Sequence, residues 1–315
     1  MSRLLKTPVA AGVLLFGSAL LAGCVTPQVA ALLERPDPLL PERTELAATP
    51  FFPQELYQCG PAALATALAQ AGVKTSPEAL VEQVYLPQRK GSLQAEMLAA
   101  PRRHGLVPYP LAPRLADLLK EVAAGTPVVV LQNLSFSFAP RWHYAVVIGY
   151  DLPREEIVLR SGTTFRLSTT LSNFERTWAR SGHWAMVTLP PQRLPATAEA
   201  DTYVGAAVAL ERSDAKAARQ AYAAALARWP DHLLARIGLG NSAYAVGDLA
   251  AAETSYRRAT LDHPEAADAW NNLAQVLFEL NRGSEARAAA ERAVALGGPR
   301  LAQYQATLRA IAEPR

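Results

Sequence analysis

Cysteine is almost absent from this 315-residue chain, which has two, Cys24 and Cys59. That excludes a disulfide scaffold; the spacing fits no zinc-binding pattern, and no metal or other cofactor is expected. An excess of one charge is lacking too: 31 Lys+Arg stand against 28 Asp+Glu, and a net +3 is too small to argue for a nucleic-acid partner. The N-terminal apolar run falls short of the roughly 20 residues that a membrane-spanning helix needs. What remains is 50% hydrophobic, which excludes a disordered or collagen-like protein. The length predicts about two domains of about 150 residues each.

Each cysteine then needs its own explanation. Residues 1–23 begin with Met1, Arg3 and Lys6, continue through an apolar stretch around Val13-Leu14-Leu15-Phe16, and end on Leu21-Ala22-Gly23 before Cys24. This is the pattern of a secretory signal. Its last residues resemble the bacterial lipobox, which implies cleavage before Cys24 and a diacylglycerol on its sulfur. Several acyl chains would hold the mature chain to a leaflet. Val25, rather than Asp, follows the cysteine; by resemblance to lipoprotein sorting this implies the outer membrane, facing the periplasm. Removing residues 1–23 takes away two positive charges and leaves a formal +1. Residues 24–50 carry Pro27, Pro36, Pro38, Pro41 and Pro50 without sustained periodicity, which predicts a lipidated tether holding a globular body away from lipid.

The body begins near Phe51. From Gln58-Cys59-Gly60-Pro61 the chain runs into an alanine- and leucine-rich helix with Pro61 in its first turn, so Cys59 sits at the helix N-terminus. Unpaired N–H groups and the helix dipole are expected to lower the thiol pKa there and make the sulfur nucleophilic. Gly60 is expected to let a substrate carbonyl come close. A thiolate nucleophile needs a base within hydrogen-bond reach, normally histidine. His232 and His263 fall in the C-terminal helical region, and His104 lies at the end of a helix, where capping is the plainer role. His143 opens Trp142-His143-Tyr144-Ala145-Val146-Val147-Ile148-Gly149-Tyr150, after the strand Val128-Val129-Val130-Leu131. A histidine at the mouth of a central strand can face the tip of a helix packed on the sheet. His183, at the start of a similar strand, is the reserve candidate.

Gln54 and Gln58-Cys59-Gly60-Pro61-Ala62-Ala63, followed 84 residues after the cysteine by His143-Tyr144-Ala145-Val146-Val147-Ile148-Gly149-Tyr150, carry a resemblance. The chain resembles the papain-like cysteine peptidase domain that cleaves double-glycine leaders from bacteriocins. It is more similar still to the stand-alone form in bacterial lipoproteins fused to tetratricopeptide repeats. The resemblance implies an α+β papain-like fold over residues 51–190. It makes Cys59 the nucleophile, His143 the general base that later protonates the leaving amine, and Gln54 an oxyanion donor beside the Cys59 N–H. Gln58 is the alternative donor. The family's Asp-Pro pair, whose carboxylate orients the imidazole, is missing: Ser161 stands there, at the end of Ile157-Val158-Leu159-Arg160-Ser161. A hydroxyl can accept the imidazole N–H but supplies no charge to stabilise imidazolium. Asp151 and Asn133 are the other residues that could orient the ring.

Residues 191–200 read as a linker. Over residues 201–315 alanine rises to 32 of 115 positions and Lys216 is the single lysine. Pro230 and Pro264 are 34 apart; Ala218, Ala252 and Ala286 keep that interval, as do Ala225, Ala259 and Ala293. This is the tetratricopeptide period, giving three units and a capping helix, the first unit degenerate at Thr202 and Gly205. Such all-α arrays present a concave groove to peptides or partner proteins. The protein expected is a membrane-anchored periplasmic cysteine peptidase acting on a peptide or protein, with repeats that recruit substrate or partner. The alternative is a catalytically weak adaptor that binds peptides in the old cleft.

Overall fold

β-branched runs joined by short turns build a seven-stranded sheet in the computed structural model, which describes residues 26–53 and 58–313. The strands are β1 (Arg43–Glu45), β2 (Val107–Pro110), β3 (Val128–Asn133), β4 (Trp142–Asp151), β5 (Glu156–Ser161), β6 (Thr164–Thr170) and β7 (Ala185–Leu189). All pairings are antiparallel, in the order β2-β7-β3-β4-β5-β6. One edge of β4 is shared. β3 takes its first half, with Asn133 opposite Trp142 and Val128 opposite Val147, and β1 takes the rest, with Glu45 opposite Gly149 and Arg43 opposite Asp151. Gly149 permits this, because a Cβ there would lie 2.6 Å from the Thr44 carbonyl oxygen.

Side chains alternate across a strand, so β4 feeds two cores: Tyr144, Val146 and Ile148 on one face, Ala145 and Val147 on the other. Helices α2 (Cys59–Gln70), α3 (Pro77–Val84) and α4 (Gln94–Ala99) pack on the first face; α1 (Pro27–Glu34), α5 (Leu115–Ala123) and α6 (Leu171–Ala179) pack on the second. α2 has residues 60–68 buried without a polar stripe, which is why its sequence is apolar all round. It stops at Gly72, whose φ of +91° ends the helical turn.

The expected tether is contradicted from Thr26 onward. α1 is docked: Val29 and Leu32 are buried in the second core, and the buried Glu175 carboxylate accepts the N–H groups of Gln28 and Val29 at 3.0 and 2.8 Å. β1 then joins the sheet. The prolines fix turns of a segment lying on the body, with Pro27 in the first turn of α1, rather than extending a free chain.

The expected linker is likewise held down. The fully buried Glu121 carboxylate accepts the N–H groups of Ala196 and Thr197 and the Thr197 hydroxyl, and the Arg193 guanidinium donates to the Ala124 carbonyl. Tyr203, in α7 (Ala200–Leu210), donates its hydroxyl to the Pro191 carbonyl and packs beside Tyr109 of β2. One apolar core therefore runs from the sheet into the helical region.

That region consists of the helix pairs α7 with α8 (Ala215–Arg228), α9 (Leu233–Ala245) with α10 (Leu249–Asp262), and α11 (Ala267–Glu279) with α12 (Gly283–Leu296), followed by α13 (Leu301–Ala312). The alanines spaced by 34 are fully buried, which lets paired helices approach closely. Two tyrosines at the same interval go further. Tyr222 and Tyr256 press on α9, where a Cβ at Gly238 would lie 2.4 Å from the first ring and one at Gly240 2.5 Å from the second. Gly240→Ala is expected to lower stability by about 1–3 kcal/mol through overpacking. Gly205→Ala, in α7 with no heavy atom within 4 Å of its added methyl, is expected to stabilise slightly through helix propensity. Thermal melts by circular dichroism read both, and equal midpoints for the two variants would remove this account of the packing.

Candidate active site

Cys59 is the first residue of α2, and the packing of that helix against β4 brings it beside Tyr144. The backbone N–H groups of Tyr144, Gly60 and Cys59 itself face the sulfur and favour the thiolate. Burial outweighs them and pushes the thiol above its ordinary value of 9.0. This corrects the expectation of a depressed thiol: the helix N-terminus is packed against β4, in the middle of the sheet, where the cost of desolvating the anion is larger than the gain from the dipole. Gly60 also differs from expectation. A Cβ there would lie 2.1 Å from Ser92 Oγ, so the missing side chain serves packing against the 91–93 segment.

His143 is the second residue of β4, and its Nε2 lies 2.8 Å from Ser161 Oγ at the end of neighbouring β5. Burial, and then the positive charge of Arg141, push the imidazole down to about 4. The ring is therefore neutral near pH 7. With its proton on Nε2 it donates to the Ser161 hydroxyl, which leaves the Nδ1 lone pair as the base. Cys59 and His143 line one cleft of about 1120 Å³, together with Ser92, Tyr144 and Trp142. Among the described residues no hydrogen bond joins the sulfur to the ring, so the resting pair is an uncharged thiol and an uncharged imidazole.

The other residues considered from the sequence lie elsewhere. Asn133 Oδ1 accepts the N–H groups of Ser135 and Arg141 and so shapes the β3–β4 loop; Asp151 pairs with Arg43 at the far end of β4. His183 takes a left-handed φ of 58° and stacks edge-on against Trp178 at 4.8 Å, outside the residues lining the cleft. His232 and His263 sit in the repeats, on Asp201 and the Asp231 carbonyl. Gln58 precedes α2 and its carbonyl accepts the Ala62 N–H. Gln54 and Cys24 lie outside the described residues. Among the described residues no cluster of His, Cys, Asp and Glu could hold a metal ion, and no helix is long and apolar enough to cross a membrane.

Two features of the site leave little trace in the sequence. Arg160, one residue before Ser161, is buried and donates to the carbonyls of Ala47, Thr49 and Phe165. Its signal was a lone arginine in an otherwise apolar strand. The cleft is also lined by Arg89, Lys90, Arg141 and Arg180. Those residues are scattered along the chain, and only the Arg89-Lys90 pair is visible as a local run.

Residues 46–186 match the C39-like peptidase family, and residues 237–300 match the tetratricopeptide repeat. Among solved structures, the chain is similar to a C39-like peptidase from Bacillus anthracis, at 20% identity over 47% of this chain and 98% of that one, with a TM-score of 0.39. It is also similar to the Sgt2 tetratricopeptide domain from Aspergillus fumigatus, at 23% identity over 38% of this chain and 87% of that one, with a TM-score of 0.33. No curated protein matches it significantly. An N-terminal α/β sheet domain similar to C39-like peptidases is thus followed by an all-helical region of tetratricopeptide repeats, modules that serve protein–protein contact in general.

Proposed function

We propose that the domain is a cysteine peptidase hydrolysing peptide bonds of a peptide or protein substrate. The observation that supports this is a single cleft lined by both Cys59 and His143, with the imidazole held at Nε2 by Ser161. His143 Nδ1 takes the thiol proton as the sulfur bonds to the substrate carbonyl carbon and the carbonyl electron pair moves to oxygen. The Cys59 N–H is one donor to that oxyanion, and the family resemblance assigns the second to the Gln54 amide. As the C–N bond breaks, the imidazolium returns its proton to the leaving amine and a thioester remains. Water then attacks the thioester, its proton passing through His143 to sulfur as the C–S bond breaks and the acid product leaves. A specific observation favours a second reading: the pair rests uncharged, as suits a slow or silent site that binds peptides as an adaptor.

In this reading a diacylglycerol on Cys24 holds the chain to the outer membrane, facing the periplasm, and the repeats recruit substrate or a partner protein. Because Thr26 already touches Ser172 and α1 is docked, Val25 alone separates the anchor from the body. The body would then sit against the leaflet in a fixed orientation instead of hanging on a tether.

A peptide ending in a thiol-directed electrophile tests the chemistry. Incubated with the full chain near neutral pH and read by mass spectrometry, it is expected to modify Cys59 faster than it modifies free cysteine. Labelling no faster than free cysteine would leave the adaptor reading in possession. For the anchor, incorporation of an alkyne fatty acid is expected in the parent chain and not in Cys24→Ser.

A further inference from the structure

The cleft is lined by four cationic side chains, and among its described lining residues there is no Asp or Glu. The charges come from separate parts of the fold: Arg89 and Lys90 from the turn after α3, Arg141 from the β3–β4 loop, and Arg180 from the end of α6. Arg180 donates to the carbonyls of Asn133 and Ser135 at 3.1 and 2.7 Å, partners that orient the guanidinium and leave its charge uncompensated. In the repeats, by contrast, Arg257 pairs with Glu253 and Arg282 with Glu285. None of the ion pairs among the described residues involves Arg89, Arg141 or Arg180.

The loop that brings Arg141 to the cleft also carries apolar surface. Phe136 and Phe138 of the β3–β4 loop are 65% and 86% exposed, their rings stacked with centroids 5.3 Å apart. The loop runs on through Pro140 and Arg141 to Trp142, which is 50% exposed and lines the cleft. Exposed aromatic rings on the loop that supplies Arg141 and Trp142 to the cleft suit a ligand that offers carboxylates and an apolar side chain together.

Resting on the peptide reading of the cleft, we infer that the site selects acidic peptide segments, carboxylates next to an apolar residue, with Arg89, Arg141 and Arg180 reading the charge and Phe136 and Phe138 the apolar side chain. The carboxylates can be Asp and Glu side chains or a chain end. A bound carboxylate at Arg141 has a second effect, since that arginine's charge helps hold His143 neutral. An acidic substrate offsets it and so supplies part of the negative charge that Ser161 lacks.

The test is fluorescence anisotropy on the full chain carrying Cys59→Ala, so that no peptide is consumed. Three labelled probes are used: a Glu/Leu peptide with an amidated end, its Gln/Leu analogue with an amidated end, and the Gln/Leu analogue with a free carboxylate. The Glu/Leu peptide is expected to bind about tenfold more tightly than the amidated Gln/Leu one, the sum of a few partly exposed charge pairs. This margin shrinks as salt is raised. Arg89→Glu combined with Arg141→Glu, at exposed positions that leave the melting midpoint unchanged, is expected to cancel or reverse the preference. Tight binding of the free-carboxylate probe assigns the site to chain ends, and weak binding assigns it to side chains. Equal affinity for the amidated pair, an undiminished preference in the double variant, or equally potent displacement by a single-stranded oligonucleotide overturns the inference. Cleavage by the unsubstituted chain is scored separately. Acidic preference without cleavage keeps this inference and removes the peptidase reading, and cleavage without preference does the opposite.

Discussion

Cys59→Ala is expected to reduce peptide hydrolysis to background, whereas Ser161→Asp is expected to raise it by about ten- to a thousandfold. Both follow from the state of the resting pair. Burial pushes the imidazole down to about 4 and the thiol up, so the thiolate–imidazolium form is the disfavoured state of the pair, and the acyl-transfer barrier carries that cost. A carboxylate in place of the Ser161 hydroxyl, 2.8 Å from His143 Nε2, favours imidazolium and so raises the reactive fraction. The sign extends to the pH profile. Cleavage, which needs the one proton shared by thiol and imidazole, rises as the first proton leaves the pair, near the imidazole value of about 4, and stays level until the thiol, raised by burial, titrates. With aspartate the acid limb moves upward and the plateau rises; with alanine Nε2 loses its partner and the plateau falls. Single-turnover cleavage across pH reads both limb and plateau. A folded Ser161→Asp protein whose limb and plateau match the parent would end the role given to Ser161.

What could be read from the sequence follows the range of each physical signal. The repeat region is legible from periodicity, an alanine interval of 34 that stacked helix pairs need, whereas the α+β papain-like fold is what the resemblance carried by the motifs around Cys59 and His143 implies. Cys59 and His143 were visible because a helix start and a strand start are marked by neighbouring residues. The thiol's protonation was misread because desolvation depends on what covers a residue, and Tyr144 and Ser92 come to Cys59 from elsewhere in the chain. The same limit explains the tether and the linker. Proline-rich segments look free in isolation, and only the buried carboxylates of Glu175 and Glu121, 146 and 76 residues from their partners, turn them into docked segments. The cationic cleft is of this kind too, since no window of sequence contains Arg89, Arg141 and Arg180 together.

Arg160→Ala is expected to destabilise the peptidase domain by about 3–5 kcal/mol, a large share of the 5–15 kcal/mol typical of a native protein. Arg160 is buried as a residue yet pairs with no carboxylate at hydrogen-bond distance among the described residues; its guanidinium is held by the carbonyls of Ala47, Thr49 and Phe165 and lies 3.8 Å over the Phe165 ring. Truncation leaves those carbonyls without donors and opens a void under the β5–β6 hairpin. Arg160→Lys is expected to fall nearly as far, because one ammonium on a flexible stem cannot reproduce a planar fork reaching three carbonyls. The loss is local to the site. Arg160 fastens residues 47–49 to the strand that ends in Ser161, and the chain from there leads directly into Cys59. A loosened segment should let a small alkylating agent reach the buried thiol faster while a peptide-shaped electrophile labels it more slowly, since one needs access and the other a formed cleft. A melting midpoint lowered by about 10 °C with that opposite movement of the two rates is the expected result. An unchanged midpoint, or two rates that move together, would show that Arg160 does not hold the approach to the nucleophile in place.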